Sequence, residues 1–132
     1  MKIRNFACVA LLVGALTVLE GAIRIVGNGE NRWPMVHVDD LADLYVLAPG
    51  AVAGSLYFAA AGPSIAVGDI ARAAAHGATH GATIDSIPIE EARRTMGPVA
   101  NALVLDQVVS ARKAARELGW SPKAKSVLED LG

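Results

Sequence analysis

The chain of 132 residues is poor in cysteine and in aromatic residues, and it has no block of basic residues. Its one cysteine, Cys8, excludes an intrachain disulfide framework and a cysteine metal cluster, and its apolar surroundings predict a buried thiol. The 12 basic and 13 acidic residues are dispersed, so the electrostatic footprint of a nucleic-acid-binding protein is missing. Because 53% of residues are hydrophobic but only 5% aromatic, we expect a core of small aliphatic side chains in which helices pack on a sheet.

A long hydrophobic run is missing as well. The length favours a single domain over residues 1–132. Phe6 to Leu19 is apolar behind a basic start, but it is only about 14 residues long, and a membrane span needs roughly 20. Three interpretations of residues 1–22 stay open: a buried helix from Phe6 to Glu20 ended by Gly21, a signal peptide, or a membrane anchor. We favour the buried helix, since Glu20 stands where a signal cleavage site needs a small residue, and we therefore expect a cytoplasmic protein without membrane contact.

Residues 23–132 alternate short strand patterns with short helix patterns. Strands are predicted at Ile23–Val26, Met35–Val38, Ser55–Phe58 and Thr83–Ile87. The first helix is predicted from Asp39 or Asp40 to Leu47, with Leu41, Leu44, Tyr45 and Ala48 facing inward. Further helices are predicted at Ile65–His76, Glu90–Met96 and Val99–Leu105, and from Ser110 to Gly119. A last short helix is predicted after a capping box at Ser126. This order predicts a mixed α/β (α+β) fold, a small lobe and not a complete doubly wound domain.

Several familiar chemical motifs fail on inspection. Gly27 and Gly29 begin a dinucleotide-type glycine loop, but Arg32 occupies the third glycine position and no helix follows directly. His76 and His80 have the four-residue spacing of helical metal ligands, yet Gly77 and Gly81 interrupt that helix. Three acids at Asp39, Asp40 and Asp43 could bind a metal, but acids at a helix start are favoured by capping and by the helix dipole, and we prefer that interpretation.

Three residues between the glycine loop and the first long helix are the candidates for binding. A guanidinium on a loop, Arg32, suits recognition of phosphate or carboxylate, although a solvated cation explains it equally well. Trp33 is adjacent. His37 has either a structural hydrogen bond or a place in a ligand pocket, and the structural reading is the simpler one. Arg32, Trp33 and His37 are therefore the predicted substrate-binding residues.

Three segments of the chain resemble one enzyme family in order and spacing. They are Gly27 to Asp43, with its Val-His-Val-Asp-Asp-Leu-Ala-Asp run, Gly54 to Tyr57, and Ser110 to Leu131, with Leu-Gly-Trp-Ser-Pro. The three segments resemble the C-terminal part of extended short-chain dehydrogenase/reductases, the NAD-dependent epimerase/dehydratase family. The resemblance implies a lobe that closes over a small-molecule substrate, often a nucleotide sugar, while a separate Rossmann domain binds NAD(P). It also implies that Arg32 contacts substrate phosphates, and that Asp39 and Asp40 are structural.

The chain departs from that family in the catalytic parts. The glycine-rich nucleotide loop is missing, and so is Tyr-x-x-x-Lys, since Pro49 follows Tyr45 and Ala61 follows Tyr57 at the lysine position. We therefore predict no catalytic residue, no metal and no cofactor bound by this chain alone.

The expected function is that of a truncated epimerase-, dehydratase- or reductase-like protein that carries the substrate lobe without its catalytic half. Its expected partners are a small molecule and either a second copy or a Rossmann-domain protein. The alternatives are a non-enzymatic binding or oligomerisation module and a small exported protein.

Overall fold

The computed structural model describes residues 18–19, 21–78 and 81–131. Over these ranges the fold is mixed α/β, as predicted, with short strands and six α-helices. No helix in the described ranges combines the length and the apolar character that crossing a membrane requires.

Three strands of the fold form one sheet. It consists of β1 (Val18–Leu19), β2 (Ala22–Val26) and β5 (Thr83–Ile87), in the order β1-β2-β5. β1 is antiparallel to β2, whereas β2 and β5 are parallel in a register that sets Ala22 opposite Thr83. Parallel neighbouring strands need a long crossover connection. In the described residues, the connection from β2 to β5 contains two short strands, two α-helices and a 3₁₀ turn.

The main helix of the crossover covers one face of this sheet. It is α2 (Val67–His76), which contacts both β2 and β5. Three apolar residues of α2, Ile70, Ala71 and Ala74, are buried. They pack with the alternate apolar side chains of β2, because residues two apart on a strand share a face.

The described chain also has a second, very short ladder. It pairs β3 (Arg32–Trp33) with β4 (Ile65–Ala66) in antiparallel fashion. A strand was predicted at Met35–Val38, but the observed strand β3 lies before Pro34. The ladder ends there because Pro34 has no N–H to donate. The strand predicted at Ser55–Phe58 pairs with no other strand of the described chain.

The remaining helices are short. They are α1 (Val38–Leu47), followed by a 3₁₀ turn (Ala48–Gly50), α3 (Ile89–Met96), α4 (Val99–Leu103), α5 (Arg112–Leu118) and α6 (Val127–Leu131). Two predicted helix boundaries are confirmed in detail. Gly119 ends α5 in a left-handed conformation, with a φ of +67°. Ser126 and Glu129 form a reciprocal capping box at α6, each side chain accepting the other's backbone N–H at 3.3 Å.

The buried side chains fall into two clusters. The first core lies between the sheet and helices α2, α3, α4 and α6. The second core is smaller and joins α1 to α5 and the turn after it; its buried members are Val36, Leu44, Ala114 and Trp120. The predicted inward face of α1 is only half right, because Leu44 is buried but Tyr45 is 72% exposed.

The N-terminal prediction is corrected in part. Val18 and Leu19 form strand β1 and join β2 through a turn at Gly21, whose φ is +80°. The helix predicted to run to Glu20 is therefore wrong at Val18 and Leu19. The rest of that helix or signal segment, with Cys8, lies outside the described residues, as does His80.

At Gly29 two backbone segments approach each other closely. Its φ is +74°, and a Cβ built on it would lie 2.9 Å from Ile25 Cδ1 and 3.0 Å from the nitrogen of Gly68. The Gly68 N–H donates to the Gly29 carbonyl at 2.8 Å, which fixes the start of α2 against the loop before β3. The glycine is therefore required by both conformation and space.

We expect Gly29→Ala to lower the free energy of unfolding by about 2–4 kcal/mol, because strain and a steric clash add. Gly54→Ala is the matched control: its φ is +81° but nothing lies within 4 Å of a built Cβ, so only about 1 kcal/mol should be lost. Urea unfolding of both variants measures the difference. Equal losses would contradict the close approach of the two backbones.

Candidate functional site

The candidate site is built around Arg32 on β3. Its side chain forms a two-pronged ion pair with Asp106, in which Nε donates to Oδ1 at 2.9 Å and Nη2 donates to Oδ2 at 2.6 Å. The backbone N–H of Arg32 also donates to Oδ1, at 2.8 Å. This fork geometry fixes the plane of the guanidinium as well as its position.

The segment that carries Asp106 is tied to the same strand by further hydrogen bonds. Asn31 Nδ2 donates to the Leu103 carbonyl at 2.9 Å, and the Gln107 N–H donates to the Arg32 carbonyl at 2.8 Å. The sequence did not reveal Asp106 as a site residue, since 74 positions separate it from Arg32. Its one local signal is that it is the only charged residue between Asn101 and Ser110.

The ion pair is accessible to solvent and still has hydrogen-bonding capacity. The side chains of Arg32 and Asp106 are 48% and 50% exposed. Among the hydrogen bonds of the described residues, none uses Nη1 of Arg32, so both hydrogens of this nitrogen have no acceptor in the described part of the chain. An oriented guanidinium edge of this kind can bind a phosphate or carboxylate oxygen.

The pairing changes the acid–base behaviour of both partners. Hydrogen bonds from the Arg32 side chain and backbone lower the pKa of Asp106 from 3.8 to about 2, and Asp106 in turn raises the pKa of Arg32. Because the folded-state pKa of Asp106 lies below its unfolded value, its contribution to stability is complete above about pH 4. That contribution is lost as the pH falls toward 2.

Trp33 lies below this surface and not in it. Its side chain is 4% exposed and belongs to the first core. Its Nε1 has no hydrogen-bond partner among the described residues. The indole therefore anchors β3 to the core, and its ring is not presented to a ligand beside Arg32.

His37 has the structural role that the sequence left open. It is the N-cap of α1, where its Nδ1 accepts the Asp39 N–H at 3.2 Å, and Nδ1 also lies 3.6 Å from Asp39 Oδ2. The prediction that Asp39 or Asp40 caps this helix is therefore wrong. Both acids lie in its first turn, where the helix dipole favours negative charge.

Asp40 is the one buried charged residue among the described side chains, at 3% exposure. Its two carboxylate oxygens accept the backbone N–H groups of Lys123 and Ala124 at 2.8 and 3.1 Å. Its carbonyl accepts Trp120 Nε1 at 2.7 Å. The Val-His-Val-Asp-Asp run and the Leu-Gly-Trp-Ser-Pro run are thus bound directly to each other.

No group of three or more His, Cys, Asp or Glu side chains in the described ranges is arranged to hold a metal ion. The three acids considered as metal ligands, Asp39, Asp40 and Asp43, all lie on α1. Both carboxylate oxygens of Asp40 accept hydrogen bonds from backbone N–H groups, and Asp43 lines a surface pocket beside Gly119 and Trp120.

Comparison with known proteins finds two uncharacterized yeast proteins. One, from Schizosaccharomyces pombe, is 34% identical over 113 residues, which cover 85% of this chain and 38% of the relative. The other, from Saccharomyces cerevisiae, is 34% identical over 108 residues, which cover 80% of this chain and 35% of the relative. No protein-family model matches the chain.

The chain spans little more than a third of the length of these curated relatives. A match over 85% of the chain includes its whole middle part, so Arg32, Asp40 and Asp106 all lie within the span shared with the Schizosaccharomyces pombe protein.

The ion pair can be tested by titration. We expect the carboxyl signal of Asp106 to titrate with a pKa of about 2, and Arg32→Ala to return it toward 3.8, because the hydrogen bonds to the charged form are lost. Carbon-detected NMR across the acid range measures this value. A wild-type Asp106 that titrates near 3.8 would show that the pair does not form in solution.

Asp40→Ala should be strongly destabilising. We expect the free energy of unfolding to fall by about 2–3 kcal/mol, since two partly buried backbone N–H groups lose their acceptor. Asp39→Ala is the control, because that side chain is 82% exposed, and it should change stability by less than about 1 kcal/mol. Urea unfolding followed by tryptophan fluorescence compares the two, and similar losses would refute the structural role of Asp40.

Proposed function

We propose that this chain is the substrate-binding lobe of an NAD(P)-dependent enzyme of the epimerase/dehydratase type, and that it does not catalyse a reaction by itself. The observation that carries the proposal is the contact of Asp40 with Trp120, Lys123 and Ala124. It joins two of the motifs on which the family resemblance rests. Motifs 80 residues apart that bind each other support a shared architecture better than either motif alone.

Arg32 supplies the binding chemistry of the proposed lobe. Asp106 holds the guanidinium in one orientation, while Nη1 donates to no acceptor in the described part of the chain. A ligand then meets a preorganised donor edge, which reduces the side-chain entropy lost on binding. A phosphate group of a nucleotide sugar is the ligand we assign to this edge.

Cofactor and catalysis are assigned to a different polypeptide segment. The chain has neither a complete glycine-rich nucleotide loop nor a Tyr-x-x-x-Lys motif. The greater length of the two yeast relatives supports this division, since well over half of each lies outside the match. We assign the protein to the cytoplasm, where NAD(P)-dependent enzymes of this type find their soluble substrates.

One observation favours a second candidate, a non-enzymatic binding module. Large apolar side chains are exposed along α1 and the segment after it, including Tyr45, Val46, Val52 and Leu56. Exposed apolar side chains of this kind favour association with another protein or a second copy. The two candidates differ in whether the Arg32 edge binds a small molecule.

Binding of UDP-glucose, as a nucleotide-sugar probe, tests the proposed function. We expect NMR signals of Arg32 and its neighbours to shift with millimolar UDP-glucose, and the shifts to disappear in Arg32→Ala. Arg93→Ala is a matched control, because the Arg93 side chain is also 48% exposed and also pairs with a carboxylate, that of Glu90. NADH fluorescence should not change when the chain alone is added.

Two results would overturn the proposal. Shifts that survive in Arg32→Ala, or that are lost equally in Arg93→Ala, would show that the Arg32 edge is not the binding site. Quenching or enhancement of NADH fluorescence by the chain alone would show that it holds a cofactor site of its own.

A further inference from the structure

The ion pair of Arg32 with Asp106 differs from the other arginine–carboxylate pairs of the described residues. Those pairs join residues no more than three positions apart on one helix: Arg72 with Asp69, Arg93 with Glu90, and Arg116 with Glu117. The Arg32 pair joins residues 74 positions apart and has the two-pronged geometry. The tertiary fold, and not the local sequence, therefore places a carboxylate on this guanidinium.

Stability accounts for only a small part of the role of this carboxylate. An ion pair whose side chains are half-exposed adds little to the free energy of unfolding. The segment around Asp106 is also held without the Asp106 side chain: Asn31 Nδ2 donates to the Leu103 carbonyl, and the Gln107 N–H donates to the Arg32 carbonyl. What the carboxylate changes most is the charge beside the guanidinium.

Covalent geometry defines which part of the guanidinium Asp106 leaves open. The group carries five N–H hydrogens in one plane. Asp106 accepts one from Nε and one from Nη2. The other three, two on Nη1 and one on Nη2, have no acceptor in the described part of the chain, and they form the Arg32 edge. Because one Nη1 hydrogen and the Nη2 hydrogen are parallel, this edge can bind two oxygens of one phosphate.

A ligand on the Arg32 edge and Asp106 bind adjacent edges of one small planar group, so their charges lie close together. A phosphate bound there lies about 7 Å from the carboxylate, where each pair of negative unit charges weakens binding roughly threefold even in water. A terminal phosphate carries two charges above its second pKa of about 6, whereas a phosphate diester carries one. Asp106 therefore offsets much of the advantage that a dianion has at a lone arginine.

We infer that Asp106 is the specificity-determining residue of the Arg32 edge, and that it shifts the selectivity of this edge from doubly charged terminal phosphates toward singly charged phosphate diesters. The inference rests on the proposed function, in which the edge binds a phosphate of a nucleotide sugar. Both phosphates of a nucleoside diphosphate sugar are internal and carry one charge each, whereas a mononucleotide ends in a phosphate with two. The ion pair thus discriminates against mononucleotides that compete with such a substrate.

Two nucleotides that differ by one methyl group and one charge test this inference: UMP and its phosphate methyl ester. NMR titrations at pH 8 give their dissociation constants for the wild-type chain and for Asp106→Asn, whose amide oxygen can still accept the Arg32 N–H. We expect Asp106→Asn to bind UMP more tightly. The ratio of the UMP to the methyl-ester dissociation constant should fall by about threefold or more, because UMP is relieved of twice the repulsion.

Two further variants complete the test. Glu90→Gln is the matched control, since it removes one charge from the Arg93 pair and should leave the ratio unchanged. Asp106→Ser also removes the charge at Arg32 but keeps a hydroxyl oxygen, and it should lower the ratio as Asp106→Asn does. The result therefore does not depend on the folding of a single variant.

Three results would overturn the specificity role of Asp106 while leaving phosphate binding at Arg32 intact. They are equal changes in the two dissociation constants, a ratio that is unchanged or larger in Asp106→Asn, and the same fall of the ratio in Glu90→Gln. UDP-glucose, titrated in parallel, reports on the proposed function separately. If no nucleotide gives shifts that disappear in Arg32→Ala, the proposed function fails, and this inference fails with it.

Discussion

The second core of this protein depends on one buried carboxylate. Asp40 satisfies two backbone N–H groups of the C-terminal turn, and its own carbonyl holds the Trp120 indole. A buried charge is tolerated only where hydrogen bonds replace its hydration, and backbone donors do so without a counter-ion. The apolar members of the cluster, such as Leu44 and Ala114, are brought together by this polar anchor, because helices α1 and α5 are too short to be stable alone.

The contrast between Asp40 and Arg32 separates structure from function within one short stretch. Asp40 is buried and its oxygens are committed to the backbone, so nothing is left for a ligand. Arg32 is half-exposed, and its pairing with Asp106 leaves one edge of the guanidinium open. Trp33 and His37 lie between them in the sequence, yet each is explained by the core or by the helix start. The candidate site therefore consists of one half-exposed guanidinium, Arg32, and a structural frame around it.

Local patterns in the sequence predicted the local structure well. Thr83–Ile87 is a strand, Gly119 ends α5, and Ser126 begins a capping box, all because these features depend on neighbours within four residues. Errors arose where distant contacts decide. Asp40 looked like a helix cap, but its partners lie more than 80 residues away, and Asp106 showed no motif at all. Tyr45 has the spacing of a core residue, but it is 72% exposed.

The parallel pairing of β2 with β5 also bears on how the chain acquires its structure. Ala22 meets Thr83 only after some sixty intervening residues have been made, and the Asp40–Trp120 bond spans a further long loop. Contacts of such sequence separation carry a large loop-closure cost and slow the folding reaction. During synthesis, the buried aspartate of α1 can therefore find its donors only after residues 120–124 have left the ribosome.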